Sequence, residues 1–310
     1  MFNTRTTPKG ILGFPVAPFT KNNQLDEQKL AQNIQFLVDE GLEAIFVACA
    51  AGEYPSLTKE EYEVMVDVAV SVTNKKVPVY TGVGGNIQTS LELAKISEEK
   101  GANGYLILPP YLVPGEQAGL AHYFKTIAES TSLNAIVYQR DNVALSISIL
   151  EALADVPQVV GVKDGLGNME LNTLLTQRFK ERFSWLNGMP LAEVTMPAYV
   201  PLGFDSYSSA ISNYIPHISR KFFQAVLEND QVTIDDLYQH VILPINNIRR
   251  QRNGYAVSLI KAGMEIMGIP VGQTVRLPIL PVEKEHYVEM ERILENALKR
   301  YPKEKVAQSI

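Results

Sequence analysis

Apolar residues in this chain fall into short runs, separated by longer stretches in which they recur every three or four positions. Eight runs, at 12–18, 44–49, 77–82, 104–108, 134–138, 159–163, 183–187 and 205–209, are rich in β-branched or aromatic residues and bounded by turn formers, so they read as strands. The stretches between them read as amphipathic helices. Leu30, Ile34, Leu37 and Val38 share one helical face, and Gly41 stands where a C-terminal cap belongs. Thr58 and Glu61 have the spacing of a capping box ahead of Tyr62, Val66 and Val70. Strand followed by helix, eight times over, predicts an α/β protein built as a closed parallel (β/α)8 barrel; a doubly wound sheet is the competitor, and the count of eight favours the barrel. Beyond residue 219 the pattern is helical only, over 222–227, 237–250, 255–267 and 287–298. A stretch at 269–281 with three prolines reads as a loop. The expected organisation is therefore a barrel over residues 1–219, with a helical region over 220–310 packed on it.

Composition narrows the picture a little. The 310 residues suit one large barrel or two ordinary domains, and a hydrophobic fraction of 46% is ample for a core. A formal charge of −6 argues weakly against nucleic acid as a partner. Cys49 is the single cysteine, which excludes an intrachain disulfide and fits a reducing compartment. The first residues lack the apolar segment of a secretion signal, and no apolar run is long enough to cross a bilayer. The expectation is a soluble cytoplasmic protein with no membrane partner.

Chemistry enters with Lys163. It closes the run Gln158-Val159-Val160-Gly161-Val162-Lys163 and precedes Asp164-Gly165. Strand alternation puts Val159, Gly161 and Lys163 on one face, with Gly161 leaving space beside the lysine stem. An amine in an apolar wall loses its proton more easily, because desolvation disfavours the charged form, and the neutral amine can attack a ketone to form a Schiff base. The plainer alternative is a strand-end lysine that reaches solvent or pairs with a carboxylate.

In a barrel of this kind the strands' C-terminal ends carry the active site. Those ends hold Cys49-Ala50-Ala51-Gly52-Glu53, Thr81-Gly82-Val83-Gly84-Gly85, Pro109-Pro110-Tyr111, Tyr138-Gln139-Arg140-Asp141, Lys163, Asn187-Gly188 and Ser208-Ser209. Tyr138 and Arg140 share parity. A tyrosine near a lysine suits proton transfer, and an arginine fork suits a carboxylate. Each has a plain alternative: Tyr138 as interior packing, Arg140 as a surface pair with Asp141. The glycines at 82–85 lack Walker or dinucleotide spacing and read as a tight turn. His122, His217, His240 and His286 are scattered, so no metal or nucleotide cofactor is expected.

Three segments, Cys49-Ala50-Ala51-Gly52-Glu53, Ile136-Val137-Tyr138 and Val160-Gly161-Val162-Lys163-Asp164, follow one another on predicted strand ends. That order resembles the dihydrodipicolinate synthase and N-acetylneuraminate lyase superfamily of Schiff-base barrels. Phe14-Pro15-Val16, Tyr138-Gln139-Arg140, Tyr207-Ser208-Ser209-Ala210 and Gly254-Tyr255-Ala256-Val257-Ser258 with Lys261 extend the resemblance over about residues 8 to 300, toward a branch acting on a sugar diacid. The resemblance implies a (β/α)8 barrel with a helical C-terminal region, no cofactor, and a homotetramer or homodimer. It implies conversion of 5-dehydro-4-deoxy-D-glucarate to 2,5-dioxopentanoate, water and carbon dioxide. Lys163 and Tyr138 would be catalytic. Ala51, Gly52, Arg140, Gly188, Ser208 and Ser209 would bind the sugar diacid. The chain departs from the pattern at Ala50-Ala51, where the family has Gly-Thr, which removes a hydroxyl from the loop that receives the ketone-side carboxylate. It also has Gln139 where Asn is usual. Two other readings stay open: a Schiff-base aldolase or lyase on a 2-oxo sugar acid, and a non-catalytic barrel that binds a sugar acid. Dihydrodipicolinate synthesis itself fits less well, because Arg140 stands where that enzyme has a small residue.

Overall fold

A computed structural model describes residues 7–110, 115–272 and 274–303. Tyr111, at the end of the fourth predicted strand, lies outside them. Eight strands form one parallel sheet: β1 (Gly10–Leu12), β2 (Ile45–Val47), β3 (Val79–Val83), β4 (Gly104–Ile107), β5 (Asn134–Gln139), β6 (Val159–Asp164), β7 (Ser184–Asn187) and β8 (Ser206–Ser208). Each pairs with its sequence neighbour, and β8 pairs with β1. A parallel bridge between Gly13 and Ile45, with Phe46 N–H donating to the Gly13 carbonyl at 2.7 Å, joins β1 to β2 and closes the barrel. The first strand lies ahead of the run at 12–18 and shares only Leu12 with it, because Pro15 and Pro18 have no N–H to give a ladder.

Helices α1 (Glu27–Asp39), α2 (Lys59–Thr73), α3 (Ile87–Glu99), α4 (Gln117–Glu129), α5 (Ile147–Ala154), α6 (Met169–Phe179), the single turn α7 (Met196–Tyr199) and α8 (Pro216–Glu228) follow the eight strands in turn. α2 starts on the capping box of Thr58 and Glu61, and α1 ends before Gly41 at φ 73°. α8 runs across positions 219 and 220. After it come α9 (Gln231–Leu237), α10 (Leu243–Arg249), α11 (Tyr255–Ile266) and α12 (Lys284–Arg300). The segment expected as one helix over 237–250 is broken: residues Tyr238–Ile242 form a π turn ahead of α10. Pro244 has no N–H for the carbonyl one turn back, and the widened turn absorbs the loss.

Two apolar layers result. The larger lies between the strands' outer faces and the helices, through residues such as Val47, Ile107, Val137 and Val162. The smaller fills the barrel with Leu12, Phe46, Tyr80, Leu106, Ile136 and Leu186. Phe14, Phe46 and Tyr80 stack in sequence, with centroids 4.7 and 4.8 Å apart.

One expectation of strand parity fails at a single step. Ala135 pairs with Val159, but Ile136 pairs with Gly161, so the register skips Val160. Val160 turns into the barrel with Ile136, and Val159 joins the outer layer with Val162. The irregularity, a bulge in effect, breaks the simple alternation that would have placed Val159 beside Lys163.

Candidate active site

At the C-terminal end of the strands a cavity of about 160 Å³ opens, and Lys163, Tyr138, Arg140, Ala51, Gly188, Ser208 and Ser209 all line it. Seven of the eight residues singled out from the sequence thus meet at one place. Gly52 does not reach the cavity wall; its α-carbon is packed against Ala48, where an added Cβ would come within 3.3 Å.

Lys163 is buried at 5% exposure, on the strand position in register with Tyr138. Its Nζ sits 4.0 Å above the Phe14 ring centroid and 4.7 Å from that of Tyr138. Among the described residues it has no carboxylate partner and no hydrogen-bond acceptor. That excludes the plainer alternative of a solvent-reaching or ion-paired lysine. Burial pulls its pKa down from 10.5 to about 7, opposed by Cys49 and assisted by the Arg140 charge. Much of the amine is therefore neutral near pH 7. Cys49 itself is pushed up to about 12 by burial and stays a thiol.

The room for the lysine stem comes from Gly188, in the turn after β7. A Cβ there would lie 2.4 Å from Lys163 Cε and 2.6 Å from Cγ. At Gly161 a Cβ would instead meet Thr7 Cγ2 at 2.9 Å and the Ser184 carbonyl at 3.1 Å, so that glycine fits the barrel's packing and not the lysine. Gly165 has a parallel role, since its Cβ would come 2.7 Å from the Tyr138 hydroxyl.

Tyr138 donates its hydroxyl to the Gly188 carbonyl at 3.1 Å and accepts from Arg140 Nη1 at 3.0 Å. Burial raises its pKa, with Arg140 opposing, so the phenol keeps its proton. Arg140 follows β5 in a tight turn, held by paired bonds with Val143 at 3.0 Å and by Asp141 at φ 54°. Its Nε is also 3.5 Å from the Asp141 carboxylate. The pairing with Asp141 and the approach to Tyr138 coexist.

Gln139, one residue on and of opposite parity, points behind the wall. Its amide donates to Asp164 at 2.8 Å and Asn172 at 3.1 Å, and its carbonyl accepts from Leu145 N–H. Asp164 is bonded also to the N–H groups of Leu166 and Gly167 and to Tyr199. The longer amide at 139 is thus the hub that ties β5 to β6 beside Tyr138 and Lys163.

On the far wall, Ser208 is half-buried and its hydroxyl lies 3.4 Å from the Asn187 carbonyl. Ser209 differs from expectation: its Oγ donates to Glu193 at 2.5 Å and contacts Ser219 at 2.9 Å, so it is turned into the protein and is not free for a substrate hydroxyl. Glu193 is wholly buried, and desolvation raises its pKa to about 7.

Three features in and around the cavity escaped the sequence. Ala256, Val257 and Ile260 on α11 form its roof; the tail's periodicity predicts that helix but not where it docks. Asn213 lines the wall, donates Nδ2 to the Ala210 carbonyl at 3.2 Å, and leaves Oδ1 buried with no donor among the described residues. Glu53, the end of the strand-two loop, forms a buried ion pair with Lys261 at 2.5 Å. The glycines at 82–85 are also more than a turn: a Cβ at Gly82, inside β3, would strike the Ala48 carbonyl at 2.2 Å.

The fold is thus a parallel eight-stranded barrel that carries, near the C-terminal end of β6, a buried lysine with no ionic partner among the described residues. A family model, the dihydrodipicolinate synthetase family, matches residues 7–297, and the chain belongs to that family. Among its relatives are proteins of Bacillus licheniformis and Bacillus subtilis, each 62% identical over 303 residues, covering 98% of both chains. A protein of Oceanobacillus iheyensis is 60% identical over 299 residues, 96% of this chain and 97% of its own. All three bear the name probable 5-dehydro-4-deoxyglucarate dehydratase. Among solved structures, a dihydrodipicolinate synthase from Bacillus anthracis superposes with a TM-score of 0.85 at 28% identity, covering 94% of this chain and 98% of its own.

Proposed function

We propose that this chain is a decarboxylating dehydratase that converts 5-dehydro-4-deoxy-D-glucarate to 2,5-dioxopentanoate, water and carbon dioxide through a Schiff base on Lys163. The observation that carries the reading is the lysine itself: buried, without a carboxylate, lowered toward neutrality, and facing a cavity that also holds Arg140 and Tyr138. The names of the full-length relatives support the choice of substrate.

In this reading neutral Lys163 adds to the ketone, and loss of water gives an iminium. The iminium acidifies the adjacent methylene; losing its proton gives an enamine, which expels the hydroxyl one carbon further on as water. The conjugated iminium that results accepts the electron pair released when the remote carboxylate leaves as carbon dioxide. Protonation of the carbon chain and hydrolysis of the imine free the product and restore the lysine. Tyr138, kept protonated by burial, carries protons to the carbinolamine and the departing hydroxyl. Arg140 receives one carboxylate with its fork. The strand-two loop receives the ketone-side carboxylate through main-chain N–H groups of the turn that Ala50 and Ala51 bring to the cavity wall, since these two residues supply no hydroxyl. A hydroxylated substrate also supplies the donor that Asn213 Oδ1 lacks, and Ser208 is placed to meet a second hydroxyl.

Incubation with the keto-deoxy diacid tests the proposal and separates it from its rivals. Release of one carbon dioxide per substrate consumed, without pyruvate, is the expected result. Pyruvate release would make the protein an aldolase or lyase, and binding without turnover would make it a sugar-acid-binding barrel.

A further inference from the structure

Lys261 has no place in that scheme, yet it is one of the largest fully buried side chains in the molecule. It lies on α11, the helix whose Ala256, Val257 and Ile260 roof the cavity. Its ammonium donates to Glu53 Oε1 at 2.5 Å and to the Thr274 carbonyl at 2.7 Å. The second oxygen of Glu53 accepts from the Arg276 N–H at 2.8 Å. One carboxylate therefore joins three segments: the strand-two loop, the roof helix and the strap at 274–281. Arg276 fastens the strap further on, gripping both oxygens of Glu61 at 2.5 Å and lying 4.0 Å over the Phe19 ring.

The loop needs such an anchor. Ala48 and Glu53, at its two ends, hold φ of 51° and 52°, a left-handed conformation that non-glycine residues adopt only when surroundings impose it. Within the turn the bonds are few: Glu53 N–H donates to the Ala50 carbonyl at 3.1 Å and Tyr54 N–H to the Cys49 carbonyl at 3.2 Å. A buried ion pair is a poor source of net stability, because desolvation offsets the attraction. What it does impose is a fixed distance and direction between the groups it joins.

The geometry points to Lys261 as a positioning residue: through Glu53 it sets the Ala50–Glu53 turn, and with it the main-chain N–H groups that receive the ketone-side carboxylate. The inference rests on the role given to that loop in the proposed reaction. It weighs more in this chain than where the loop carries a hydroxyl, because here the backbone placement alone supplies the contact. Lys261 is not a second nucleophile, since its ammonium is held by a carboxylate and a carbonyl.

Two variants separate positioning from charge balance. Lys261→Met strands the Glu53 charge. Lys261→Met combined with Glu53→Gln removes both charges, while the new amide oxygen can still accept from Arg276. The readouts are the thermal midpoint and the pyruvate concentration that half-saturates borohydride inactivation. The single variant is expected to lose thermal stability and affinity. The double variant is expected to regain the midpoint while its half-saturating concentration stays about ten- to a hundredfold above wild type, the worth of a hydrogen bond to a charged group, with the saturated rate changed far less. Wild-type affinity in the double variant, or in a folded single variant, overturns the inference. Hydrogen exchange on the wild-type protein tests the same point without a variant: protected Glu53 and Tyr54 amides support a held turn, and exchange at open-loop rates overturns it. A wild-type protein that pyruvate and borohydride leave active would sink the Schiff-base reading instead, with the exchange result still deciding on Lys261.

Discussion

Replacing Lys163 by Met should stabilise the protein while abolishing its proposed chemistry. Methionine has nearly the length of lysine and fills the channel beside Gly188 without a charge. The magnitude follows from the amine's environment. Its pKa falls from 10.5 in the unfolded chain to about 7 in the fold, and each pH unit between the two values corresponds to about 1.4 kcal/mol. Burying the charged form thus costs on the order of 5 kcal/mol, and attraction to the Phe14 ring recovers about 2 kcal/mol at most. A net gain of about 3–5 kcal/mol is expected for Lys163→Met below pH 7. The sign against pH is fixed by linkage. Between about 7 and 10.5 the unfolded wild-type chain holds a proton that the folded chain does not, so wild-type stability rises with pH through that window. The advantage of the variant is full below pH 7 and shrinks toward zero near pH 10. Urea unfolding of both proteins at pH 6, 7.5 and 9, at equal protein concentration, measures it. A gap that stays constant with pH, or a wild type more stable than the variant at pH 6, would refute the claim that this lysine is desolvated and unpaired.

Three further outcomes follow from the same geometry. Gly188→Ala, which forces a methyl to 2.4 Å from Lys163 Cε, should slow borohydride trapping about a hundredfold, whereas Gly161→Ala should lower the thermal midpoint and leave trapping of the folded protein near wild type. Tyr138→Phe should reduce turnover roughly 10²–10⁴-fold in steady-state kinetics with the fold intact; near-wild-type turnover would make the tyrosine structural. Arg140→Lys should weaken use of the diacid much more than use of the matching mono-acid, and equal loss on both would reduce Arg140 to the partner of Asp141.

Much of this architecture is legible in the sequence because its causes are local. Eight apolar runs with helical stretches between them leave few arrangements other than a barrel, and the placement rule for barrel sites then gathers Lys163, Tyr138 and Arg140. What escapes reading has causes that are not local. The skipped Val160 depends on how β5 meets β6, so parity counted along one strand misplaces Val159. The space beside Lys163 comes from Gly188 on the neighbouring strand's turn, and nothing near Lys163 in sequence reveals it. Ser209 reads as a second cavity hydroxyl until Glu193 is found behind it. Glu53 and Lys261 stand 208 positions apart, and the strap that completes their network looks like an ordinary proline-rich loop.

The central claim is that Lys163 bears the substrate, and chemical trapping tests it most directly. The protein would be reduced with borohydride in the presence of the keto-deoxy diacid, digested, and mapped by mass spectrometry. The account predicts an adduct on the peptide carrying Lys163, absent from Lys163→Met and accompanied by loss of activity in proportion to labelling. An adduct on another lysine with Lys163 unmodified, or turnover that survives in Lys163→Met, would contradict it.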